Sequence, residues 1–207
     1  MRILIIFVVI LATLSTKAQK FGGAAFVGIS GSQVSGDNFS GFNKAGINGG
    51  ISVNYLISTK NTLNMDLSFV QKGSKSNPNP QKGQYNSYNL SLNYIEVPIY
   101  LRFNANQKLF FDFGLSYGRL ISSSEKNQYG EIPGTKPFNN ADYSVLAGLG
   151  LLLKKSFSVG FKISNSFLAM RPHASNATYL WNTGQYNTVL TLNLIYQFKI
   201  NANKQKI

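Results

Sequence analysis

Apolar and polar residues alternate near the end of the chain, in the stretch NTVLTLNLIYQF at residues 187–198. One alternate set is mostly bulky and apolar, whereas the other is mixed and carries amides. Successive side chains of a β-strand point to opposite faces, so this period of two predicts a strand that lies between two different environments. It places Leu192 and Leu194 on the apolar face and Asn193 on the polar face.

The same period of two recurs along most of the chain and predicts eight strands. The other alternating segments lie around residues 21–30, 47–57, 63–69, 88–103, 109–120, 141–153 and 157–167. Within the fourth segment the apolar phase changes, from Leu90 and Leu92 at even positions to Ile95 and Ile99 at odd ones. This change predicts a β-bulge near Tyr94. No stretch has the pattern of a long amphipathic helix.

The segments that connect these strands alternate between short and long. The short ones are residues 58–61, 104–107 and 154–155, and the long ones are roughly 31–43, 73–87, 122–140 and 170–185, which are rich in Gly, Asn, Ser and Pro. Tight turns at one end and longer loops at the other are typical of outer-membrane barrels, in which the turns face the periplasm and the loops face outward.

Composition favours a barrel with its apolar face outward over a soluble, lipocalin-like barrel. Charged residues make up 13% of the chain, against roughly 25% in soluble domains. An eight-stranded barrel has an interior just wide enough for side chains or one small ligand, so the bulky set would overfill it. A closed barrel also satisfies its backbone hydrogen bonds in hydrocarbon. The sequence therefore predicts an all-β fold, an eight-stranded antiparallel up-and-down transmembrane β-barrel.

Aromatic residues on the outward phase cluster near both ends of the predicted strands. Transmembrane barrels carry such rings at the two membrane interfaces. The expected periplasmic girdle consists of Phe21, Tyr55, Phe103, Phe111, Phe157, Tyr196 and Phe198, and the expected extracellular girdle of Phe69, Tyr88, Tyr117, Tyr143, Phe167 and Tyr186.

The N-terminus has the pattern of a secretory signal peptide. A basic start at Met1-Arg2 is followed by an apolar run at residues 3–14 and by small residues before a cut between Ala18 and Gln19. The apolar run is shorter than the ~20 residues of a transmembrane helix. We expect residues 1–18 to be a signal peptide and residues 19–207 to form the outer-membrane barrel domain.

Three stretches resemble the PorT-like outer-membrane β-barrel proteins of Bacteroidetes-type bacteria. They are GISGSQVSGDNFSGFNKAGINGGISV at residues 28–53, SFVQKGSK at 68–75 and NYIEVPIYLRF at 93–103. The first loop and the YIE-P-I strand carry the resemblance. It implies a barrel in the outer membrane; one member of the group is linked to a secretion system, and most have no established activity.

Candidate catalytic or metal-binding residues are few. The chain has no Cys and a single histidine, His173, in the last long loop, so a histidine-based catalytic or metal site would depend on that one residue. Asp37 in the first loop lacks the repeated acids and terminal Glu of a calcium loop and is interpreted as part of a polar turn. The net charge of +13 is scattered rather than clustered in a nucleic-acid-binding module. We therefore expect no cofactor, no metal and no nucleic-acid partner.

Charged residues on the inward phase are more informative. The expected lumen network consists of Asp66, Asp112, Asp142 and Lys162, joined by Glu96 and Arg102 if the phase change near Tyr94 is a bulge. A buried charge costs several kcal/mol unless it is paired, so these residues should form salt bridges. A packed polar plug and a gated ion path are both compatible with such a network, and the narrow lumen favours the plug.

Two classes of function remain after these exclusions. One is a non-enzymatic structural or interaction barrel whose long extracellular loops bind an envelope partner, with outer-membrane lipid around its strands. The other is a small-solute, porin-like pore. The loops carry rings, Tyr129 and Phe138 in the third and Tyr179 and Trp181 in the fourth, which either bind a partner, as in the interaction barrel, or rest on the barrel rim and extend the girdle.

Overall fold

The fold was examined in a computed structural model, which describes residues 21–37, 39, 41–82, 85–133, 135–173 and 184–198. The predicted signal peptide, including Ala18 and Gln19, and the loop rings Tyr179 and Trp181 lie outside the described residues. No helix in the described part of the chain is long and apolar enough to cross a membrane.

Eight long strands form one closed antiparallel barrel, as the alternating pattern predicts. Each strand pairs with the next along the chain, and the first pairs with the last through residues 24–35 and 186–197. The strands are β1 (Phe21–Ser35), β2 (Lys44–Leu56), β3 (Asn61–Ser76), β4 (Tyr88–Asn104), β5 (Leu109–Asn127), β6 (Ala141–Lys154), β7 (Phe157–Ser166) and β8 (Gly184–Gln197). Because the first strand pairs with the last, the sheet has no free edge over the paired residues.

Two short strands and one 3-10 turn lie in the loops. Gly130–Glu131 pairs with the end of β5, and Arg171–Pro172 pairs with the start of β8. The 3-10 turn spans Pro80–Lys82. These short pairings hold parts of the loops against the barrel.

Short turns lie at one end of the barrel and long loops at the other. The turn end consists of residues 57–60, 105–108 and 155–156, and the described part of the loop end of residues 36–37, 39, 41–43, 77–82, 85–87, 128–133, 135–140 and 167–173. Several strands extend further into the loop end than the alternation predicted; β3 runs to Ser76 and β5 to Asn127.

Side-chain exposure follows the period of two. Leu192 and Leu194 are 48% and 46% exposed on the outer surface, whereas Asn193 between them is 4% exposed in the interior. The prediction that the apolar set faces outward is therefore confirmed. The interior receives mainly Ser, Asn, Gly and charged residues, such as Asn48, Ser52 and Asn64.

The fourth strand keeps one phase along its whole length, which corrects the prediction of a bulge in it. Its even residues face inward from Tyr88 to Arg102, so Leu90 and Leu92 are fully buried, while Ile99 and Leu101 are about half exposed. The apolar residues of β4 change phase because the two ends of the strand lie in different surroundings. Towards the turn end the outer surface is apolar, whereas at the loop end the outward residues of β4 are polar and the inward ones are apolar.

The strands around β4 show the same reversal at the loop end. The outward residues of this part include Gln71, Lys75, Asn89, Ser91 and Asn93. A polar exterior over an apolar interior is the arrangement of a water-soluble sheet. The loop-end parts of β3, β4 and β5 therefore extend beyond the hydrocarbon and carry a small water-exposed domain on top of the barrel.

A register shift does occur at the predicted height, but the extra residue lies in the neighbouring strand. Asn93 pairs with Ser122 and Tyr94 pairs with Leu120, which leaves Ile121 of β5 without a counterpart in β4. One extra residue reverses the faces of everything beyond it. Because of this bulge, Glu125 points into the barrel, although Arg119 points outward.

Candidate functional site

The interior of the barrel contains ion pairs at three successive levels, beginning near the turn end. There, Arg102 binds Asp112 through two parallel hydrogen bonds, from Nε to Oδ1 and from Nη2 to Oδ2, each 2.8 Å long. The guanidinium lies 3.8 Å from the centre of the Phe110 ring, within the range of a cation–π contact. Adjacent positions in the β4–β5 ladder bring the two charged residues together.

The second level joins strands from opposite parts of the barrel. Lys162 of β7 reaches Asp66 of β3 over 3.3 Å, and the hydroxyl of Tyr100 donates to the same carboxylate over 3.2 Å. The lysine ammonium also lies 3.7 Å from the centre of the Tyr100 ring. This level spans the lumen instead of following one ladder, which sequence spacing alone does not show.

The third level is centred on Lys72, a residue that the sequence analysis did not select. Its ammonium is paired with Glu96 and lies 2.9 Å from Asp142, and its side chain is 1% exposed. Ser166 and Asn187 donate to the same aspartate over 2.6 and 3.0 Å. The signal was present, because Lys72 continues the even phase of Asp66, but the predicted third strand ended at residue 69.

An apolar cap lies above the third level. We use this name for the buried cluster of Val34, Val70, Leu90, Leu92, Tyr94 and Met170, against which Tyr88, Leu120 and Phe138 pack. Five of its six buried members are at most 1% exposed. The cap closes the lumen on the side of the loops.

A charged cluster, here called the loop-end clamp, fastens the loops beside the cap. Arg171 binds Glu125 through two hydrogen bonds of 2.7 and 2.8 Å and Gln185 through a third of 2.7 Å. Tyr88 donates to the same glutamate over 2.6 Å, and the ring of Phe138 lies 4.1 Å from the guanidinium. The clamp therefore ties β4, β5, β8 and two loops together.

The clamp lies in the water-exposed part of the barrel, and it changes the pKa of its carboxylate. Burial raises the pKa of Glu125, but the hydrogen bonds from Arg171 and Tyr88 outweigh this effect, so the pKa lies below its ordinary value. The carboxylate therefore stays charged at a lower pH than the carboxylate of a free glutamate.

The empty space inside the barrel is small. A cavity of about 40 Å³ lies between the second and third levels and one of about 10 Å³ lies around the second. Two larger cavities lined by described residues open at the ends, about 400 Å³ beside residues 120–125 of β5 and about 230 Å³ at the turn end. The six predicted lumen residues thus lie in ion pairs that fill the interior.

Aromatic rings surround the outside near each end of the strands. At the turn end, Phe21 lies 5.0 Å from Tyr55 and Phe157 lies 5.0 Å from Tyr196, measured between ring centres. Phe103 and Phe111 are paired across β4 and β5, and Phe198 lies 5.8 Å from the nearest ring of this group. The predicted turn-end residues thus share one height on the outer surface.

The predicted loop-end rings behave in the same way, with one exception. Tyr117, Tyr143 and Phe167 are neighbours at 5.4 and 6.3 Å, and Phe69 and Tyr186 share the outward phase. Tyr88, by contrast, points into the barrel, packs against the apolar cap and stacks on Phe39 at 4.7 Å. Its assignment to the girdle was wrong because β4 does not change phase.

The remaining candidate residues all lie at the loop end. Asp37 accepts a hydrogen bond from the N–H of Phe39 over 2.9 Å, which forms the predicted polar turn. His173 lies in the loop end, and its carbonyl accepts from Lys136 over 2.7 Å. Among the described residues, no three His, Asp or Glu side chains are grouped to hold a metal ion. Of the described loop rings, Tyr129 is 89% exposed, whereas Phe138 packs on the clamp.

Comparison with known proteins agrees with this architecture. The family model described as "Outer membrane protein beta-barrel domain" matches residues 17–169. A comparison with the curated proteins found no match.

Several solved structures are similar to the chain. Neisserial surface protein A (NspA) is 12% identical over 85% of this chain and 97% of its own, with a TM-score of 0.55. Ail, the attachment invasion locus protein of Yersinia pestis, is 16% identical over 86% of this chain and 99% of its own, with a TM-score of 0.48. At these identities the similarity to NspA bears on the fold alone.

Proposed function

Because the chain belongs to the outer membrane protein beta-barrel domain family, we propose that it is a non-enzymatic outer-membrane protein that binds a partner through its loop end. The observation that carries this proposal is the closed interior. Three levels of ion pairs and the apolar cap fill the lumen, so the barrel is a rigid support. With the lumen filled, the long loops at the loop end are a surface that can bind a partner.

The chemistry of that surface suits a protein partner. Tyr129 is 89% exposed and Tyr85 is 72% exposed, and Phe42 adds a third ring at 40%. Exposed aromatic residues on a rigid support lose little conformational entropy on binding, and such residues are enriched among those that dominate binding energy. The loop-end clamp holds the loop that carries Tyr129, through Phe138, which supports a preformed surface at that ring.

The partner is proposed to be another envelope protein, with outer-membrane lipid around the apolar outer face. The resemblance of residues 28–53, 68–75 and 93–103 to PorT-like proteins supports a role tied to secretion or envelope assembly. Export by the signal peptide at residues 1–18, with cleavage between Ala18 and Gln19, belongs to the same proposal.

Site-specific photo-crosslinking in intact cells tests the proposal. A photoreactive phenylalanine analogue at Tyr129 or Tyr85 should capture one recurrent envelope protein, because both rings lie on the proposed binding surface. The matched control is the same analogue at Tyr117, which is exposed on the outer barrel wall. The same product at all three positions, or no product at Tyr129 and Tyr85, would contradict the proposal.

The alternative is a small-solute, porin-like pore. It would require the apolar cap and at least the third level of ion pairs to move aside, because the interior cavities of about 40 and 10 Å³ are too small for a continuous path. The closed interior therefore favours the interaction barrel.

A further inference from the structure

A cavity of about 230 Å³ opens at the turn end, opposite the loops. Six amide side chains line it, together with the cations Arg102, Lys108 and Lys155, and no acidic residue lines it in the described part of the chain. The layout of outer-membrane barrels directs this end towards the periplasm. The cavity is thus a concave, polar and cationic mouth.

The distribution of acidic residues makes the whole turn end positive. Of the seven acidic residues in the chain, five form ion pairs in the interior or the clamp. The other two, Asp37 and Glu131, lie at the loop end. The turns, by contrast, carry exposed lysines, namely Lys60, Lys108 and Lys155, and Lys154 adjoins the last turn. Clustered charge of one sign attracts ligands of the other sign.

Arg102 is one of the cations that line this mouth. Asp112 holds its Nε and Nη2 atoms, and the guanidinium lies over the Phe110 ring, so the side chain has one orientation. The third nitrogen, Nη1, makes no hydrogen bond with the described residues. A fixed guanidinium with one available amino group is suited to donate to an oxyanion.

Ser158 is the second, independent observation at this site. Its side chain lines the cavity and is 1% exposed, yet its hydroxyl has no hydrogen-bond partner among the described residues. Buried polar atoms are almost always paired, so an unpaired hydroxyl in a cavity wall indicates a group that is to be bound there. The hydroxyl can donate to a ligand oxygen.

From these observations we propose that the turn-end mouth binds a small oxyanion, a carboxylate or a phosphate, that is presented from the periplasm. Arg102 Nη1 and the Ser158 hydroxyl donate hydrogen bonds to it, and Lys108 and Lys155 attract it at the rim. The volume is below the ~300 Å³ of typical ligand pockets, so the mouth takes the charged end of a ligand whose remainder extends into the periplasm. This site is separate from the proposed loop-end function.

Titrations of the folded barrel in nanodiscs of zwitterionic lipid test this proposal. The probes are N-acetyl-alanyl-alanine, its neutral C-terminal amide and glycerol 3-phosphate, followed by NMR shifts of the Arg102 and Ser158 amides. We expect an anion to bind at least tenfold more tightly than the neutral amide. A preference between the two anions identifies a peptide carboxylate or a head-group phosphate as the source.

Matched variants separate the site from the general positive charge. Lys108→Gln/Lys155→Gln removes two lining cations and should weaken anion binding about tenfold. Lys60→Gln/Lys154→Gln removes two lysines of the turn end outside the lining and should change it less than twofold. Ser158→Ala should weaken binding without altering the barrel. Equal losses in the two double variants, equal binding of acid and amide, or no binding of either anion would overturn the proposal.

Discussion

The charged residues of the interior are stabilised by the residues with which they form ion pairs. Arg102 and Asp112 are 6% and 1% exposed and bind each other through two hydrogen bonds. Two such charges cost little when they are paired, because each compensates the desolvation of the other. If one is removed, the other is left buried and uncompensated.

The first prediction concerns this pair. Arg102→Leu should lower the free energy of unfolding by about 3–5 kcal/mol, whereas Arg102→Leu/Asp112→Leu should recover most of that loss. Urea titrations of the barrel folded into lipid vesicles measure both values. If the double variant is as unstable as the single one, the pair does not act as a unit.

A second residue-scale prediction concerns pH and the loop-end clamp. Because the folded-state pKa of Glu125 lies below its ordinary value of 4.5, its contribution to stability is complete above 4.5 and is lost as the pH falls through the lower folded-state pKa. A fluorinated Phe138 stacks on Arg171 and reports clamp opening by fluorine NMR. Its shift should titrate with a midpoint below pH 4.5.

The control for this experiment is Glu125→Gln, which removes the titrating group. Its fluorine shift should already resemble the acid form at pH 7 and should not titrate. A midpoint above 4.5 in the unmodified protein would contradict the assigned direction of the shift.

At the scale of the strand, the outer face of the last strand tests which side meets lipid. Leu192→Arg places a charge at an outward site near the middle of β8 and should cost ~2–4 kcal/mol. Asn193→Ser, at the neighbouring inward site, should cost less, although it removes the hydrogen bond of 2.8 Å from Asn48. Folding titrations into vesicles compare the two. Greater damage from Asn193→Ser would favour a soluble barrel.

The reversal of β4 provides another strand-scale prediction. Spin labels at Ile95, Ile99 and Leu101 should be accessible to oxygen and protected from a water-soluble nickel complex, since these residues face lipid. Labels at Asn89 and Ser91 should be accessible to nickel instead, because this part of the strand lies beyond the hydrocarbon. If labels at Asn89 and Ser91 are accessible to oxygen instead, this part of β4 lies within the hydrocarbon, which would contradict the water-exposed loop end.

The same strand shows how far the sequence determines the fold. Alternation gave the number of strands, their order and the outward face, because lipid contact requires a regular apolar row. It could not distinguish a bulge in β4 from a change of environment, since both reverse the apolar phase. The extra residue, Ile121, directly precedes the polar run Ser122–Glu125, in which β5 shows no apolar row. For this reason Tyr88 was assigned to the outer surface, although it points into the barrel.

The site was predictable to a smaller extent. Asp66, Asp112, Asp142 and Lys162 could be assigned to the interior because their phase is opposite to that of the apolar row. Lys72 was missed because the predicted third strand ended at residue 69, and Arg171 because it lies in a predicted loop. Asp142 and Glu125, which pair with them, lie on strands that only the closed barrel brings close.

At the scale of the whole molecule, the protein consists of a membrane barrel with a water-exposed top. The barrel interior is polar and filled with ion pairs, and the top has its own apolar cap, which is closed by the clamp. A lumen closed in this way supports the two proposals made above, a protein partner at the loop end and an oxyanion at the turn end.

Planar-bilayer recording of the purified, folded protein tests the closed lumen most directly. We expect no steady conductance steps at neutral pH, because the ion pairs and the apolar cap leave no continuous path. Lys162→Gln should also remain silent, since the cap and the third level stay in place. Steady, large steps in the unmodified protein, altered in size by Lys162→Gln, would show an open ion path and contradict the account.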